Sequence, residues 1–556
     1  MTNITILTQN KHKTRDNKFS IIQIQYAQSG KAAKMKLNSF TMLIMILLLI
    51  VLPVNGVNNN KNQSNNWYEI FVRSFQDSNG DGIGDIQGVI NKLDYIQEMG
   101  YNGIWLMPIY PSPSYHKYDV TDYLSVDPEY GTLADIKKLT TEAHARGIKI
   151  ILDLVINHTS QNHPWFIAAT DALCEGKDSP FIDYYNFRQK NEDKYIPLYD
   201  TGWYYEEQFS GGGMPDLNLD NEDVRTQIHL IMDFWLNVID ADGFRLDAVT
   251  SYYSGNHDKN ITFLHWLKEE CELLKPDSFL VGECWESLPV IARYYESGID
   301  SFFLFPASQA EGFIASTLRS RSNRAEKFAD RYQTVLDNIP DGTLAPFLGN
   351  HDTGRTVGSV QGRQNTAIAK FAEGVLNMMQ GNVFTYYGEE IGMVGSGNDP
   401  NKRLAMYWNN ENMTNQPPGI TAEEYAYPSV DEQMDDPDFL LNYCRLLNHT
   451  RINYPMIANG ENKFLIAEGD ILLIRRTLDE DSCWIAMNFS PKEFGRCTIS
   501  SHSIIRANIE TGTESSKIEK DELILPPYAI VILQEHNYSQ QPEHMNFSIK
   551  SNSKNR

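Results

Sequence analysis

The feature that most constrains the fold is an alternation of short apolar stretches with helix-length segments, which runs from residue 67 to about residue 456. Short buried strands separated by helices are typical of β-α units around a parallel sheet. Eight such stretches over about 390 residues predict an α/β fold, a (β/α)8 TIM barrel that carries insertions, because a typical barrel needs only ~250 residues. The eight predicted strands span residues 67–75, 103–109, 149–157, 243–249, 278–284, 301–305, 344–350 and 383–388.

Changes in this pattern predict three further segments. The longest gap follows the third strand, and residues 159–218 show no clear helical period, which predicts a small inserted subdomain. The barrel is therefore divided into residues 66–158 and 219–456. From residue 460 to 535 the sequence alternates strands with turn residues, which predicts a C-terminal all-β sandwich. The polar residues 536–556 are predicted to be disordered.

The N-terminal region carries an apolar run at residues 40–54, preceded by lysines and followed by a small-residue pattern that ends at Gly56. This combination predicts a secretory signal peptide at residues 35–56, with Met35 as the start and residues 1–34 as a disordered upstream extension. An uncleaved signal anchor is the alternative, although the run is shorter than the ~20 residues of a membrane-spanning helix. We therefore expect a secreted protein or, alternatively, a membrane-anchored one with its folded domain outside.

The chain is acidic, which restricts its partners. It has 48 Lys and Arg against 72 Asp and Glu, a formal net charge of −24, and this balance argues against nucleic acid and anionic membrane surfaces as partners.

The six cysteines show no Cys-x-x-Cys motif and no His at zinc spacing, so no metal cluster of this kind is predicted. Cys483 and Cys497 could pair in an oxidising compartment, but the sequence leaves this open. We expect a monomer.

Charged side chains cluster at the predicted C-terminal ends of the barrel strands, where the active sites of such barrels lie. Arg245 and Asp247 stand two apart on the fourth strand and therefore share one face. Asp247 and Glu283 lie on adjacent strands ~4.8 Å apart, which suits the ~5 Å between the two carboxyl groups in retaining glycoside hydrolysis. The pattern therefore predicts glycoside cleavage. The complete set is Asp153, His158, Arg245, Asp247, Glu283, His351 and Asp352.

Five short motifs carry a resemblance to a known family. They are DLVINH at 153–158, MPDLN at 214–218, GFRLDAV at 243–249, GECW at 282–285 and FLGNHD at 347–352. In this order and at this spacing they resemble the motifs of the α-amylase family, glycoside hydrolase family 13. The resemblance covers about residues 66–535 and is closest to secreted bacterial-type α-amylases and to the branch between oligo-1,6-glucosidases and neopullulanases.

The resemblance implies a retaining α-glucan hydrolase that acts on starch, maltodextrins or related oligosaccharides through a covalent glycosyl-enzyme intermediate. It implies Asp247 as the nucleophile, Glu283 as the general acid/base and Asp352 as the third carboxylate, which stabilises the transition state. Glu283 must hold its proton near neutral pH, so we expect burial to raise its pKa. The implied substrate-binding residues are Tyr118, which stacks on the sugar; His158 and His351, which bind its hydroxyl groups; and Arg245, which keeps Asp247 ionised and is supported by Asp153.

Several positions bear on the linkage that is cleaved. Members dedicated to α-1,6 bonds typically have QPDLN and a Val after the nucleophile, whereas this chain has MPDLN and Ala248. Tyr115 stands where many exo-acting 1,6-glucosidases carry an Asp. The departures at Ala248 and Tyr115 both favour α-1,4 cleavage. Thr250 and Ser251 replace the Lys-His pair of many α-amylases, which keeps an α-glucosidase, an oligo-1,6-glucosidase or a transglycosylase as alternatives. An alternative of another class is a membrane-anchored, non-enzymatic ectodomain similar to the heavy chains of amino-acid transporters.

The segment DSNGDGIGD, residues 77–85, places oxygen-bearing side chains at alternate positions, with glycines that permit a tight turn. It does not match an EF-hand, because Gly88 stands where the bidentate Glu is required. The loop resembles a calcium site of oligo-1,6-glucosidases and related branches of the family. This resemblance implies a structural Ca²⁺ ion held by Asp77, Asn79, Asp81, the backbone carbonyl of Ile83, and Asp85.

Overall fold

A computed structural model of the protein describes residues 66–422 and 424–535. The predicted upstream extension (1–34), the signal peptide (35–56) and the polar tail (536–556) lie outside these residues. Within the described ranges, no helix combines the length and the apolar character needed to cross a membrane.

Eight parallel strands in the described part of the chain form a barrel, which confirms the predicted fold. The barrel strands are β1 Asn66–Ile70, β2 Gly103–Leu106, β3 Lys149–Leu154, β7 Gly243–Leu246, β8 Phe279–Gly282, β9 Ser301–Phe303, β10 Thr343–Ala345 and β11 Val383–Tyr386. The intervening strands β4 Phe187–Arg188, β5 Tyr195–Leu198 and β6 Trp203–Glu206 belong to an inserted sheet. Around the barrel the order is β10-β9-β8-β7-β3-β2-β1-β11. A parallel bridge between Phe347 and Phe384 closes the sheet between β10 and β11.

The barrel strands end earlier than the apolar stretches that predicted them. The first predicted strand, 67–75, is a strand only as far as Ile70, and Val72–Phe75 forms a helical turn. The predicted strand 344–350 ends at Ala345. The apolar residues beyond these points are still buried beneath the loops at the C-terminal end of the barrel, where Phe347 forms only the isolated bridge to Phe384. These loops carry the candidate site.

Helices surround the barrel and fill the connections between its strands. Their apolar faces pack inward; in Leu133–His144, for example, Ile136, Leu139 and Ala143 are buried at spacings of three and four residues. The helices of the described residues are Val72–Phe75, Ile86–Asn91, Leu93–Glu98, Leu133–His144, Pro164–Glu175, Glu222–Asp233, His257–Leu274, Leu288–Tyr294, Phe313–Leu318, Arg324–Asn338, Thr356–Ser359, Thr366–Asn377, Asp399–Lys402, Val430–Met434, Leu440–Asn453 and Met456–Asn459.

The subdomain inserted after β3 contains a small antiparallel sheet in the order β4-β6-β5. It also contains a helix at Pro164–Glu175, where the sequence analysis found no clear helical period. Because most residues of this helix are apolar, no polar face stands out and the periodic pattern is weak. The usable signals are at its ends: Pro164 is in the first turn, and Gly176, at φ +64°, ends the helix in the left-handed conformation.

The C-terminal domain consists of antiparallel strands, as predicted. They are β12 Glu461–Glu468, β13 Ile471–Leu478, β14 Asp481–Asn488, β15 Gly495–Thr498, β16 Ser503–Ile509, β17 Lys517–Glu519, β18 Glu522–Leu525 and β19 Ile530–Glu535. The larger sheet has the order β12-β13-β14-β19-β16 and the smaller one the order β15-β18-β17. Alternate residues of β13 face opposite sides: Leu472 and Ile474 join the core of the barrel, whereas Ile471 and Leu473 join a second core with residues of the smaller sheet.

All six cysteines are free thiols, so the pairing that the sequence left open for Cys483 and Cys497 does not form. The reason is their position in the sheets. Cys483 faces the core shared with the barrel, and Cys497 faces the second core, which lies on the other side of the larger sheet.

Candidate active site

The two carboxylates expected to perform the chemistry follow directly on adjacent barrel strands. Leu246, at the end of β7, is the register partner of Gly282, at the end of β8, and Asp247 and Glu283 come next. The Glu283 N–H donates to the Leu246 carbonyl (3.0 Å), which continues the ladder by one residue. The two side chains are only 9% and 11% exposed. The sheet register therefore brings both groups to one place at the C-terminal end of the barrel.

The guanidinium of Arg245 holds three carboxylates together. Its Nη1 donates to Asp247 Oδ1 (2.6 Å) and to Asp153 Oδ1 (2.8 Å), and its Nη2 donates to Glu283 Oε2 (2.7 Å). Burial raises the pKa of Asp153 to about 7 although Arg245 opposes the shift. Arg245 is 1% exposed and lies beneath the cavity, where it positions the carboxylates, and its predicted role in substrate binding stays a prediction.

Glu283 has the protonation behaviour required of a general acid/base. Burial raises its pKa, Arg245 opposes this effect, and the charges of Asp247 and Asp352 raise it further, which gives a pKa of about 7. This agrees with the expectation from the sequence. A group with this pKa can donate a proton and later accept one at neutral pH.

Ala248 holds Glu283 from the backbone and adopts an unusual conformation. Its N–H donates to Glu283 Oε2 (3.0 Å). Its φ is +44°, in the left-handed region that residues with a Cβ atom seldom occupy. The turn after the nucleophile therefore stores strain in order to aim a hydrogen bond at the acid/base.

Asp352 is held by cationic side chains on two sides. His351 Nε2 lies 3.0 Å from Asp352 Oδ2, and Arg403 Nη2 donates to Oδ1 (2.7 Å). Burial raises the pKa of Asp352, but His351 and Arg403 outweigh it and hold the pKa well below its usual range. No local motif marks Arg403, and its role follows only from the folded chain.

His351 lies beneath the cavity and not on its surface. It is 0% exposed, and its Nδ1 lies 2.6 Å from Glu69 Oε1. Burial lowers its pKa, but Asp352 and Glu69 outweigh this effect and raise it to about 9. His351 is therefore a buried cation that supports Asp352, and its predicted contact with a sugar hydroxyl stays a prediction.

A cavity of about 310 Å³ opens at this end of the barrel. Asp247, Glu283 and Asp352 line it together with Tyr118 and His158, as the sequence analysis expected for a shared site. Burial lowers the pKa of His158, so this imidazole is neutral at neutral pH. The lining residues that the sequence analysis did not predict as binding residues are Phe209, Met214, Ala248, Thr250, Ser251 and Trp285.

Aromatic side chains form two walls of the cavity. Trp285 is 48% exposed, and its ring stacks on Phe305 with centroids 4.7 Å apart and planes at 13°. Phe209, from the inserted subdomain, meets His158 edge to face. Flat aromatic faces of this kind suit the apolar face of a pyranose ring. The sequence could have identified Trp285 as a lining residue, because it belongs to the GECW motif. Phe209 lies in a glycine-rich loop in which no sequence motif marks it as a binding residue.

In the predicted calcium loop, backbone N–H groups donate hydrogen bonds to the side-chain oxygens of the same loop. Asp77 accepts hydrogen bonds from three backbone N–H groups of the loop, and Asn79 and Asp81 each accept one from the residue two positions later. Burial raises the pKa of Asp77, but these donors outweigh it and lower the pKa. Among the described residues, no group of three or more His, Cys, Asp or Glu side chains is arranged to hold a metal ion. A site here would therefore need the Asn79 amide and the Ile83 carbonyl, which are hard oxygen donors of the kind that Ca²⁺ accepts.

Comparison with known proteins agrees with this fold. The pattern of the family described as "Alpha amylase, catalytic domain" matches residues 69–460. Alpha-amylase 3 of Dictyoglomus thermophilum is 35% identical over 476 residues, which cover 84% of this chain and 92% of the relative. An oligo-1,6-glucosidase of Parageobacillus thermoglucosidasius is 32% identical over 513 residues, which cover 76% of this chain and 90% of the relative. The solved structure of Eubacterium rectale Amy13B superposes with a TM-score of 0.83 at 40% identity and covers 86% of this chain and 96% of its own.

Proposed function

Because the chain belongs to the α-amylase family of retaining glycoside hydrolases, we propose that it hydrolyses α-1,4-glucosidic bonds in starch, maltodextrins or related oligosaccharides. One observation carries the assignment of roles. Arg245 contacts both Asp247 and Glu283, but Glu283 also accepts a hydrogen bond from the Ala248 N–H, and burial raises its pKa to about 7. Two adjacent carboxylates in different environments are what a nucleophile and an acid/base require.

The proposed reaction has two displacements. In the first, Asp247 attacks the anomeric carbon while Glu283 protonates the leaving oxygen, and the glycosidic bond breaks. In the second, Glu283 removes a proton from water, which attacks the anomeric carbon and releases Asp247. Asp352, kept ionised by His351 and Arg403, binds sugar hydroxyls and stabilises the positive charge that develops on the ring.

The linkage is the least constrained part of the proposal. Ala248 and Tyr115 support α-1,4 cleavage, and the Tyr115 hydroxyl lies 3.3 Å from Arg403 Nη1 beside Asp352. An α-amylase and an oligo-1,6-glucosidase are nevertheless similar to the chain to almost the same degree. Oligo-1,6-glucosidase activity is therefore the second candidate. Transfer to a sugar hydroxyl is a third, because that hydroxyl can replace water in the second displacement.

The test is to incubate purified residues 57–556 with maltoheptaose, starch, isomaltose and trehalose and to follow product length and anomeric form. We expect α-anomers released from maltoheptaose and starch, and almost no activity in Asp247→Asn. Activity on isomaltose alone would overturn the linkage. β-Anomers as first products would overturn the mechanism, and undiminished activity in Asp247→Asn would overturn the role of that residue.

We also propose a structural Ca²⁺ ion at the 77–85 loop. Asp77, Asn79, Asp81 and Asp85 would supply side-chain oxygens and Ile83 its carbonyl. Support comes from the loop's winding and from the low pKa of Asp77, which keeps one donor charged. The ion would stiffen the connection between β1 and the helix Ile86–Asn91 and take no part in the reaction.

We further propose that the protein is secreted and that it is a monomer. The support for secretion is the predicted signal peptide at residues 35–56, and its test is N-terminal sequencing of the mature protein. A start near Val57 is expected, whereas a start at Met1 or Met35 would indicate an anchored form. Size-exclusion chromatography tests the monomer. The non-enzymatic ectodomain alternative does not fit the three carboxylates that line one cavity.

A further inference from the structure

Two arginine side chains are fully buried where the barrel meets the C-terminal domain. Arg451 lies on the helix Leu440–Asn453 and Arg476 lies on β13, and both are 0% exposed. Within the described residues, their hydrogen-bond partners are backbone carbonyls and one tyrosine hydroxyl, with no carboxylate among them. Buried charges are normally paired, so each guanidinium needs an explanation.

Arg451 is explained by a helix end. Its Nη1 donates to the carbonyls of Asn377 and Met379, both at 2.6 Å, and its Nη2 donates to the carbonyl of Gly381. These carbonyls lie at and just beyond the end of the helix Thr366–Asn377, where the helix dipole is negative and favours a cation. Arg451 is therefore a cap for this helix.

Arg476 has no comparable explanation. Only its Nη2 is used, in hydrogen bonds to the Met378 carbonyl (2.9 Å) and the Tyr332 hydroxyl (3.2 Å). Its Nε and Nη1 are buried and have no partner. Two of its three nitrogens therefore have N–H groups that nothing in the described chain accepts.

The neighbours of Arg476 on the sheet add further buried polar atoms that have no hydrogen-bond partner. Its register partners are Asn462 on β12 and Cys483 on β14, so the three side chains share one face. The amide oxygen and nitrogen of Asn462 are also buried without a partner. Burial raises the pKa of Cys483 to about 12 although Arg476 opposes it, so the thiol is neutral and supplies no counter-charge. Burial and the charge of Arg476 together lower the pKa of Arg451 to about 9, as expected for two nearby cations that lack an anion.

We propose that Arg476 and Asn462 bind a small monovalent anion of the halide class, such as chloride, between the barrel and the C-terminal domain. The anion accepts hydrogen bonds from Arg476 Nη1 and from the Asn462 amide nitrogen. It offsets the charge that Arg476 shares with Arg451. Because Arg476 is 0% exposed and lies between paired strands, the site favours a small, weakly hydrated anion over sulfate or phosphate. Because none of these residues lines the catalytic cavity, the bound anion stabilises the junction of the two domains and does not take part in the reaction.

The first test measures the melting temperature of the full mature protein in sodium chloride, sodium bromide and sodium gluconate at equal ionic strength. We expect a saturable rise in chloride and bromide that gluconate does not give. Arg476→Met should lose this dependence, whereas Arg496→Gln, which removes an exposed arginine on the smaller sheet paired with Glu522, should keep it. Equal melting curves in all three salts, or the same salt dependence in Arg476→Met, would overturn the proposal.

The second test does not depend on a variant that folds. Crystals of the wild-type enzyme soaked in bromide should show an anomalous peak in contact with the Arg476 guanidinium. An ordered water molecule there without anomalous signal would mean that solvent alone satisfies these N–H groups, and the anion site would be rejected. Both tests are independent of activity, so a wrong assignment of substrate leaves their outcome unchanged.

Discussion

Arg245 organises the site at the scale of single residues. One buried guanidinium contacts Asp153, Asp247 and Glu283, so the positions of all three acids depend on the same side chain. The sequence predicted that Arg245 and Asp247 face the same way, because residues two apart on a strand share a face. It could not predict that His351 lies beneath the cavity, since its partner Glu69 lies on β1, 282 residues earlier in the chain.

The pKa of Glu283 sets the alkaline limit of activity. Because Glu283 must be protonated when the glycosidic bond breaks, kcat/KM should fall about tenfold per pH unit above about pH 7. A pH profile on maltoheptaose measures this limb. Glu283→Gln should lose activity by ~10²-fold or more at all pH values, and the exposed neighbour Glu286→Gln serves as the control. An alkaline limb that lies above pH 9 would contradict the assignment.

The same residue should make the enzyme less stable at high pH. The folded-state pKa of Glu283 is raised from 4.5 to about 7, so its stabilising contribution is complete below pH 4.5 and is lost as pH rises through 7. Glu283→Gln cannot ionise, and it should therefore exceed the wild type in free energy of unfolding by up to roughly 3 kcal/mol at pH 8 and by little at pH 4.5. Denaturant unfolding at both pH values measures the difference. An equal gain at both would point to packing and not to ionisation.

Ala248 links backbone strain to the acid/base. A β-branched residue tolerates φ +44° less well than alanine, so Ala248→Val should lower the free energy of unfolding by about 1–3 kcal/mol, and Ala248→Gly should lower it little or raise it. The Ala248 N–H holds Glu283, and the residue at this position is Val in members dedicated to α-1,6 bonds, so the Val variant should also lose kcat on maltoheptaose relative to isomaltose. Thermal unfolding and the two rates are the measurements. A Val variant as stable and active as the Gly variant would refute this link.

At the scale of elements, the sequence predicted which strands exist better than where they end. The apolar stretches predicted all eight barrel strands, because buried parallel strands are apolar on both faces. Their C-terminal limits were wrong, because the loops above the barrel are buried as well and continue the apolar pattern. The helix Pro164–Glu175 was not predicted, because its mostly apolar sequence shows no regular alternation of apolar and polar residues.

The loop 77–85 allows a test at this scale. If it binds Ca²⁺ with ligand at about 100 times its dissociation constant, the ion should add roughly 2.7 kcal/mol to the free energy of unfolding. Chelation should lower the melting temperature of the wild type, and Asp77→Asn should remove most of that effect. The exposed Asp171→Asn, on the inserted subdomain, is the matched control. A chelator effect that survives unchanged in Asp77→Asn would place the ion elsewhere.

At the scale of the whole molecule, the barrel and the C-terminal domain share one core. Leu472 and Ile474 of β13 belong to the same buried cluster as the barrel helices, and Arg324 pairs with Asp470 across the junction (2.9 Å). The sequence predicted both domains from their strand patterns. It could not predict this union, nor the contribution of Phe209 to the catalytic cavity, because both depend on contacts between segments that no local pattern relates.

The shared core predicts a single unfolding transition. Calorimetry should give one peak for the mature protein and not separate peaks for barrel and C-terminal domain. Asp470→Ala should lower the free energy of unfolding by ~1–3 kcal/mol, because it leaves the largely buried Arg324 without its partner. Glu480→Ala, in an exposed turn of the same sheet, should change it little. Two resolved peaks would show that the domains unfold independently.

The way in which the barrel closes bears on how the enzyme would lose activity. β10 and β11 meet through the single bridge between Phe347 and Phe384, whereas other neighbouring strands share two to four register pairs. His351 and Asp352 follow Phe347 by only a few residues, while Asp247 and Glu283 extend from β7 and β8, which are not at this seam. We expect opening of the barrel between β10 and β11 to displace Asp352, the proposed stabiliser of the transition state, while Asp247, the proposed nucleophile, stays in place. Such a molecule would lose activity before it unfolds.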